Sequence, residues 1–271
     1  MFNHAKTLKG YGLKSLDGEI GKVDEFYFDD QYWTIRYLVA DTGNWLTGRQ
    51  VLISPYALGE VDVTTHDIGI DLTKKQIEES PSLDSDKPVS RQFENEYFGY
   101  FGWPTYWIGS YMWGMNSYPT RNSNEWKDHV TSEKTWDPHL RSTSEVRNYN
   151  IHAADGEIGH VVDFIIDDDT WAIRYLIVDT QNWLPGKKVL IAPQWIDHIS
   201  FDESKVFVTL LRETIKQAPE YHEDAMPTRD YELGLHRHYN RSGYWLDETD
   251  NQEHSLREKA HNEPKEALTT F

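Results

Sequence analysis

Hydrophobic and polar residues alternate with a period of two through much of this chain. Ile20, Val23, Phe26 and Phe28 lie in one strand-like run, and Asp29-Asp30-Gln31-Tyr32 punctuates it. The next run, 33–41, sets Trp33, Ile35, Tyr37 and Val39 on one face and Thr34, Arg36, Leu38 and Ala40 on the other. Both faces are largely apolar, as expected of a strand that lines a barrel and is covered from outside. A third strand is predicted from Arg49 to Ile53, stopped by Pro55, which has no N–H to give to a ladder. Short strands follow at 61–63 and 68–72, with His66-Asp67 in the turn between them. Asp17-Gly18 and Gly48 mark turns. Thr73 is placed to cap a short helix through Glu79, with Gln76 at the capping-box position.

The pattern then returns. Asp17-Gly18-Glu19-Ile20-Gly21 reappears as Asp155-Gly156-Glu157-Ile158-Gly159, and Ile35-Arg36-Tyr37-Leu38 as Ile173-Arg174-Tyr175-Leu176, both 138 residues on. Between 17–55 and 155–193 there are 24 identities in 39 ungapped positions. A unit of this length encloses its own core, so this is a domain duplication and not a short solenoid repeat. The match extends to the aromatic tails: Arg91, Phe93, Glu94, Phe101, Tyr106 and Trp107 correspond to Arg229, Tyr231, Glu232, Tyr239, Tyr244 and Trp245. Phe93, Glu96, Tyr97 and Tyr100 have roughly helical spacing. The resulting division is a first barrel over 8–82, an aromatic tail over 83–107 and a linker over 108–145. A second barrel over 146–220, a second tail over 221–245 and a polar segment over 246–271 complete it. The expected fold is mainly β: two tandem small antiparallel β-barrels with short helices and aromatic-rich tails. The two copies are expected to pack as a pseudo-dimer.

Composition narrows the function. The 271 residues contain 11 Trp and 16 Tyr, so large rings supply the core. There is no cysteine, which removes disulfides, thiolate catalysis and thiolate metal sites and fits a cytoplasmic location. No apolar run is long enough to span a bilayer. The net charge is −18, of which −8 falls in 8–107, −6 in 146–245 and −4 in 246–271. Such acidity argues against nucleic acid as a partner and favours solubility.

The order Asp-Gly-Glu-Ile-Gly, strand, acidic turn, Trp-x-Ile-Arg-Tyr-Leu-x-x-Asp-Thr, Gly-x-x-Val-Leu-Ile-x-Pro, present twice, resembles the PRC-barrel domain family over roughly 10–80 and 148–218. Relatives include the cytoplasmic domain of the photosynthetic reaction-centre H subunit, the C-terminal domain of a ribosome-maturation factor and stand-alone bacterial proteins. The resemblance implies a small β-barrel that serves protein–protein contact without catalysis of its own. It leaves two further readings: a peripheral accessory of membrane electron transfer, and a ribosome- or RNA-associated factor.

Among candidate sites, the loops 41–46 and 179–184 place Asn44 and Trp45, and Asn182 and Trp183, between polar neighbours; these tryptophans either anchor a partner or cap the barrel ends. Trp107 and Trp245 of the tails are further partner-binding candidates. Arg36 and Arg174 lie mid-strand between apolar residues and need carboxylates, for which Glu19 or Asp41, and Glu157 or Asp179, are the candidates. Asp29-Asp30 and Asp167-Asp168-Asp169 read as solvated hairpin turns, without the spacing of a calcium loop. His236 and His238 would share a face on a strand and together with His222 or His254 could bind a transition metal, but Phe98 and Tyr100 stand at the matching positions of the first copy, which favours chance surface histidines. The chain carries no recognised catalytic motif, so neither catalytic residues nor metal nor cofactor are expected.

Overall fold

The computed structural model describes residues 1–47, 49–84, 89–120, 139–180 and 187–246. It divides into two compact units, Met1–Pro227 and Thr228–Phe271. The first unit holds both repeats. The first repeat opens with β1 (Phe2–His4) and α1 (Ala5–Leu8), followed by β2 (Gly12–Ser15), β3 (Gly18–Asp29), β4 (Thr34–Asp41) and β5 (Arg49–Ile53). It continues through β6 (Leu58–Asp62), β7 (Asp67–Ile70), α2 (Lys74–Glu79), β8 (Leu83–Asp84) and α3 (Arg91–Phe101). The second repeat runs through β9 (Leu140–Ser142), α4 (Thr143–Val146), β10 (Asn150–Ala153), β11 (Gly156–Asp167), β12 (Ala172–Asp179) and β13 (Lys188–Ile191). It ends with β14 (Ile196–Ser200), β15 (Lys205–Val208) and α5 (Arg212–Gln217). The second unit contains α6 (Arg229–His238). The capping box predicted at Thr73 and Gln76 forms at the start of α2.

The expectation of two antiparallel barrels is corrected in two respects. Within each repeat the strand order is β6-β7-β2-β3-β4-β5 and β14-β15-β10-β11-β12-β13, and the β2/β7 and β10/β15 pairs are parallel. Turn length fixes the direction of consecutive strands only, and these two pairs join strands far apart in sequence. Among the described residues β5 and β6 share no ladder, so the repeat stays open. The second respect is that the repeats merge into one 15-stranded mixed sheet. Thr34 of β4 pairs with Ala172 of β12, and the flanking bonds are reciprocal: Ile35 N–H donates to Trp171 O at 2.8 Å, and Ile173 N–H to Trp33 O at 2.7 Å.

The reason lies in strand length. β3 has twelve residues, but β2 covers only its first part, Gly18 to Lys22. The remaining edge, Tyr27 to Asp29, would be an open row of N–H and C=O groups. It is closed by β9 of the other repeat, through Tyr27↔Ser142, Phe28↔Arg141 and Asp29↔Leu140. In return β1 closes β11 through Phe2↔Asp167, Asn3↔Ile166 and His4↔Ile165. The repeats therefore exchange their N-terminal arms in an isologous, two-fold-like fashion. Residues 140–145, read as linker, form with Val146 the second arm, the counterpart of Phe2 to Leu8.

The core crosses this junction. Phe28 lies 5.3 Å from Trp33 and 5.7 Å from Phe164, and Phe26 lies 6.3 Å from Trp171. Each such ring, taken out of water, contributes a few kcal/mol, about 25 cal/mol per Å². Because each repeat completes the other, the two are expected to unfold in one transition. Fluorophores placed separately on β7 and β15 should report the same urea midpoint, and separate midpoints would contradict the shared core.

The retained Gly21 and Gly159 are set by geometry, with φ of +137° and +154°. A Cβ at either would drive into the backbone carbonyl of Asp41 or Asp179. Gly21→Ala and Gly159→Ala are each expected to cost about 1–3 kcal/mol, measured as a fall in urea midpoint at unchanged slope.

Candidate functional site

Antiparallel pairing decides which carboxylate meets each mid-strand arginine. Asp29 sits opposite Thr34, so it shares a face with Arg36, two residues further along β4. Arg36 is completely enclosed; its Nη2 donates to Asp29 Oδ2 at 2.9 Å and its Nη1 to the Met112 carbonyl at 2.7 Å. Its guanidinium lies 3.9 Å over the Tyr106 ring and 4.9 Å from that of Trp113. Arg174 repeats the pairing, with Nη2 2.6 Å from Asp167 Oδ2 and a further bond to Thr170 Oγ1 at 3.0 Å. The ion pairs expected of both arginines are present, but with other partners. Glu19 and Asp41 are exposed, and Asp41 accepts from Gly43 N–H. Glu157 is exposed beside Lys205, and Asp179 stands at the far end of β12, opposite His160.

The acidic turns are correspondingly less solvated than their sequence implies. Asp29 is only 5% exposed. Asp30 is bound by Arg141 of the exchanged arm at 2.6 Å and by His139 at 2.9 Å; burial, opposed by these neighbours, pushes its carboxyl above the usual range. Asp167, Asp168 and Asp169 gather around the α-amino group of residue 1.

The first tail docks by a buried carboxylate. α3 buries Phe93, Glu94, Tyr97 and Phe98, whereas Glu96 and Tyr100, given the same face by the spacing argument, point outward. Glu94 is fully enclosed and accepts from Tyr37 OH at 2.9 Å and from Tyr106 OH, with Arg91 Nη1 2.9 Å from its second oxygen. Burial and the adjacent carboxylate raise the Tyr37 phenol well above its ordinary range. Arg91 in turn lies 4.3 Å over the Trp107 indole. The second unit contains the same knot: Glu232 is 3.0 Å from Arg229 and accepts from Tyr244 OH at 3.0 Å, and Arg229 lies 4.3 Å over Trp245. Trp107 and Trp245, proposed from sequence as partner-binding, thus each have an arginine over the ring. The signal for this knot was legible as Arg-x-x-Glu followed by Tyr-Trp in both copies.

In the first Trp loop, Asn44 is exposed and Trp45 half-buried, with Lys74 Nζ 6.0 Å from its ring. Asn182, Trp183 and His254 lie outside the described residues. His236 and His238 are on helix α6 and not on a strand, so a spacing of two separates them. His236 is buried, its Nδ1 2.8 Å from the Ser242 carbonyl, and burial lowers its pKa. A small cleft of about 130 Å³ lies beside the first knot, lined by residues that include Tyr32, Arg91, Trp107 and His139.

Sequence reasoning missed a polar cluster under the first arm. Asp163 on β11 is 1% exposed and accepts from Lys6 N–H at 3.0 Å. His4 and Arg147 are nearby, and His4 Nε2 is 2.7 Å from Tyr221 OH. Burial raises the Asp163 carboxyl above its usual range despite these neighbours. A folded-state pKa above the unfolded value means that the charged form costs stability above the folded pKa. That cost is released as pH falls through it and is absent below the unfolded value. Asp163→Asn, which keeps the Oδ1 acceptor, is expected to raise the urea midpoint at pH 7. The gain should vanish by about pH 3, below the unfolded Asp value near 3.9.

Geometry defines the class as a duplicated β-module whose copies complete one another through exchanged arms. Residues 8–77 and 139–215 match the PRC-barrel domain, together more than half of the 271 residues, and the chain belongs to that family. No curated protein matches the chain. Arg91, Glu94, Tyr106 and Trp107 and their counterparts Arg229, Glu232, Tyr244 and Trp245 fall outside the matched residues, whereas Tyr37 lies within them.

Proposed function

We propose that this chain is a non-catalytic binding or assembly module acting in the cytoplasm, in which two PRC-barrel repeats form one platform for a protein partner. The reciprocal arm exchange carries this reading: it joins β4, which leads into the loop 41–46, and its counterpart β12 in a single shared sheet. In that loop Asn44 is exposed and Trp45 half-exposed, a composition suited to an interface anchor. The family membership supports the same kind of role. Among the described residues no helix is long and apolar enough to cross a membrane, so contact with a membrane complex would be peripheral.

The test is the size of the native particle. In a gentle lysate the chain should elute in an assembly larger than its own 31.8 kDa, and a Trp45→Ala/Trp183→Ala variant should shift to the free position. Elution of the wild-type chain at its own mass would sink the proposal.

A further inference from the structure

We infer that the uncharged aromatic stretch 97–120 is the surface by which this chain holds a basic, Arg/Lys-bearing polypeptide. The inference rests on the assembly reading and names the chemistry of the partner. These 24 residues contain no Asp, Glu, Lys or Arg, in a chain with 72 of them (27 basic and 45 acidic). At the corresponding positions of the second copy, 235–258, eight are charged. The lack of charge is therefore peculiar to one copy, although Phe101, Tyr106 and Trp107 keep aromatic counterparts in the other.

Its inner half is locked. Trp113 is 1% exposed and donates from Nε1 to Thr170 O at 2.9 Å, in the hairpin turn of the other repeat. Arg36 holds the Met112 carbonyl, and Trp103 stacks on Phe101 at 4.3 Å and on Tyr56 at 6.0 Å. Two tight bridges, Tyr111↔Gly114 and Trp113↔Asn116, shape the loop between. Its outer half is apolar and exposed: Tyr100 by 43%, Tyr118 by 46% and Met115 by 64%.

Tyr, Trp and Met interleaved with Ser, Gly and Asn on a preorganised loop is the composition of protein-recognition surfaces, where rigid rings supply area and small polar residues adapt. The field of the whole chain selects the partner. At −18 it steers cations inward, and ring faces receive them. The chain uses this chemistry internally, with Arg36 over Tyr106 and Trp113, and Arg91 over Trp107. An anionic bilayer is repelled by the same field, and no basic residue within the stretch offsets that. A second copy would bring another −18 charges.

The test compares the full chain with a charge-preserving variant, Tyr100→Ser/Met115→Ser/Tyr118→Ser, altered only at these exposed positions. Met115→Ser alone is the fallback should the triple variant melt early. A displayed random 12-residue peptide library is selected against the wild-type chain. Enriched peptides should carry Arg or Lys beside apolar residues and bind the triple variant about tenfold or more weakly, or Met115→Ser measurably more weakly. Peptides without basic residues, equal binding by wild type and variant, or no enrichment would overturn the inference. So would flotation with phosphatidylcholine–phosphatidylglycerol vesicles, or self-association abolished by the three substitutions. If the triple variant still elutes in the native assembly, the assembly reading survives and this assignment of its surface does not.

Discussion

Arg36→Met is expected to destabilise the chain by about 3–5 kcal/mol, the scale for removing one partner of an enclosed ion pair. The substitution leaves the Asp29 carboxylate, 5% exposed, without its cation. It also removes the Arg36 contacts to the Met112 carbonyl and to the faces of Tyr106 and Trp113, so the aromatic stretch loses one of its ties to the sheet. Arg174→Met breaks the equivalent pair, to Asp167 and Thr170, and is expected to be destabilising as well. Urea unfolding at neutral pH measures both. If Arg36→Met is as mild as a surface substitution, the guanidinium is not the tie described.

Glu94→Ala should cost a similar amount, about 3–5 kcal/mol, by a different route. One carboxylate serves Tyr37, Tyr106 and Arg91, and its loss leaves two enclosed hydroxyls without that acceptor and one guanidinium without that anion. The Tyr37 phenol, now without the neighbouring negative charge, should ionise more readily, though burial still holds it up. Glu94→Gln keeps an acceptor oxygen and should recover part of the loss. Near-UV circular dichroism follows the packing of the rings, and equal signals from wild type and Glu94→Ala would overturn the account.

The duplication, the β-rich repeat and the helix cap at Thr73 were legible because local chemistry dictates them: period-two patterning, turn glycines and a capping side chain act within a few residues. The arm exchange was not. Phe2 to Leu8 and Leu140 to Val146 share spacing but no identical residue, so the repeat signal fades where the two arms begin. Their strand character comes from the edges they meet and not from their own pattern. The arginine partners were misplaced for a related reason: strand patterning does not say which carboxylate lies across the ladder, and register selects Asp29 over Glu19 and Asp41. For α3, periodicity gave the helix but rotated its buried face, since it had no means to know that a carboxylate, Glu94, points inward.

Two identical chains joined by exchanged arms would be bound to change in step, each mutation appearing on both sides. Once both copies lie in a single polypeptide, that constraint lapses. One copy here carries a ring-rich, uncharged stretch where the other carries charges. If that stretch is the partner surface proposed above, the product is monovalent there where a symmetric pair would be bivalent, and it would cap a partner rather than bridge two into a growing chain.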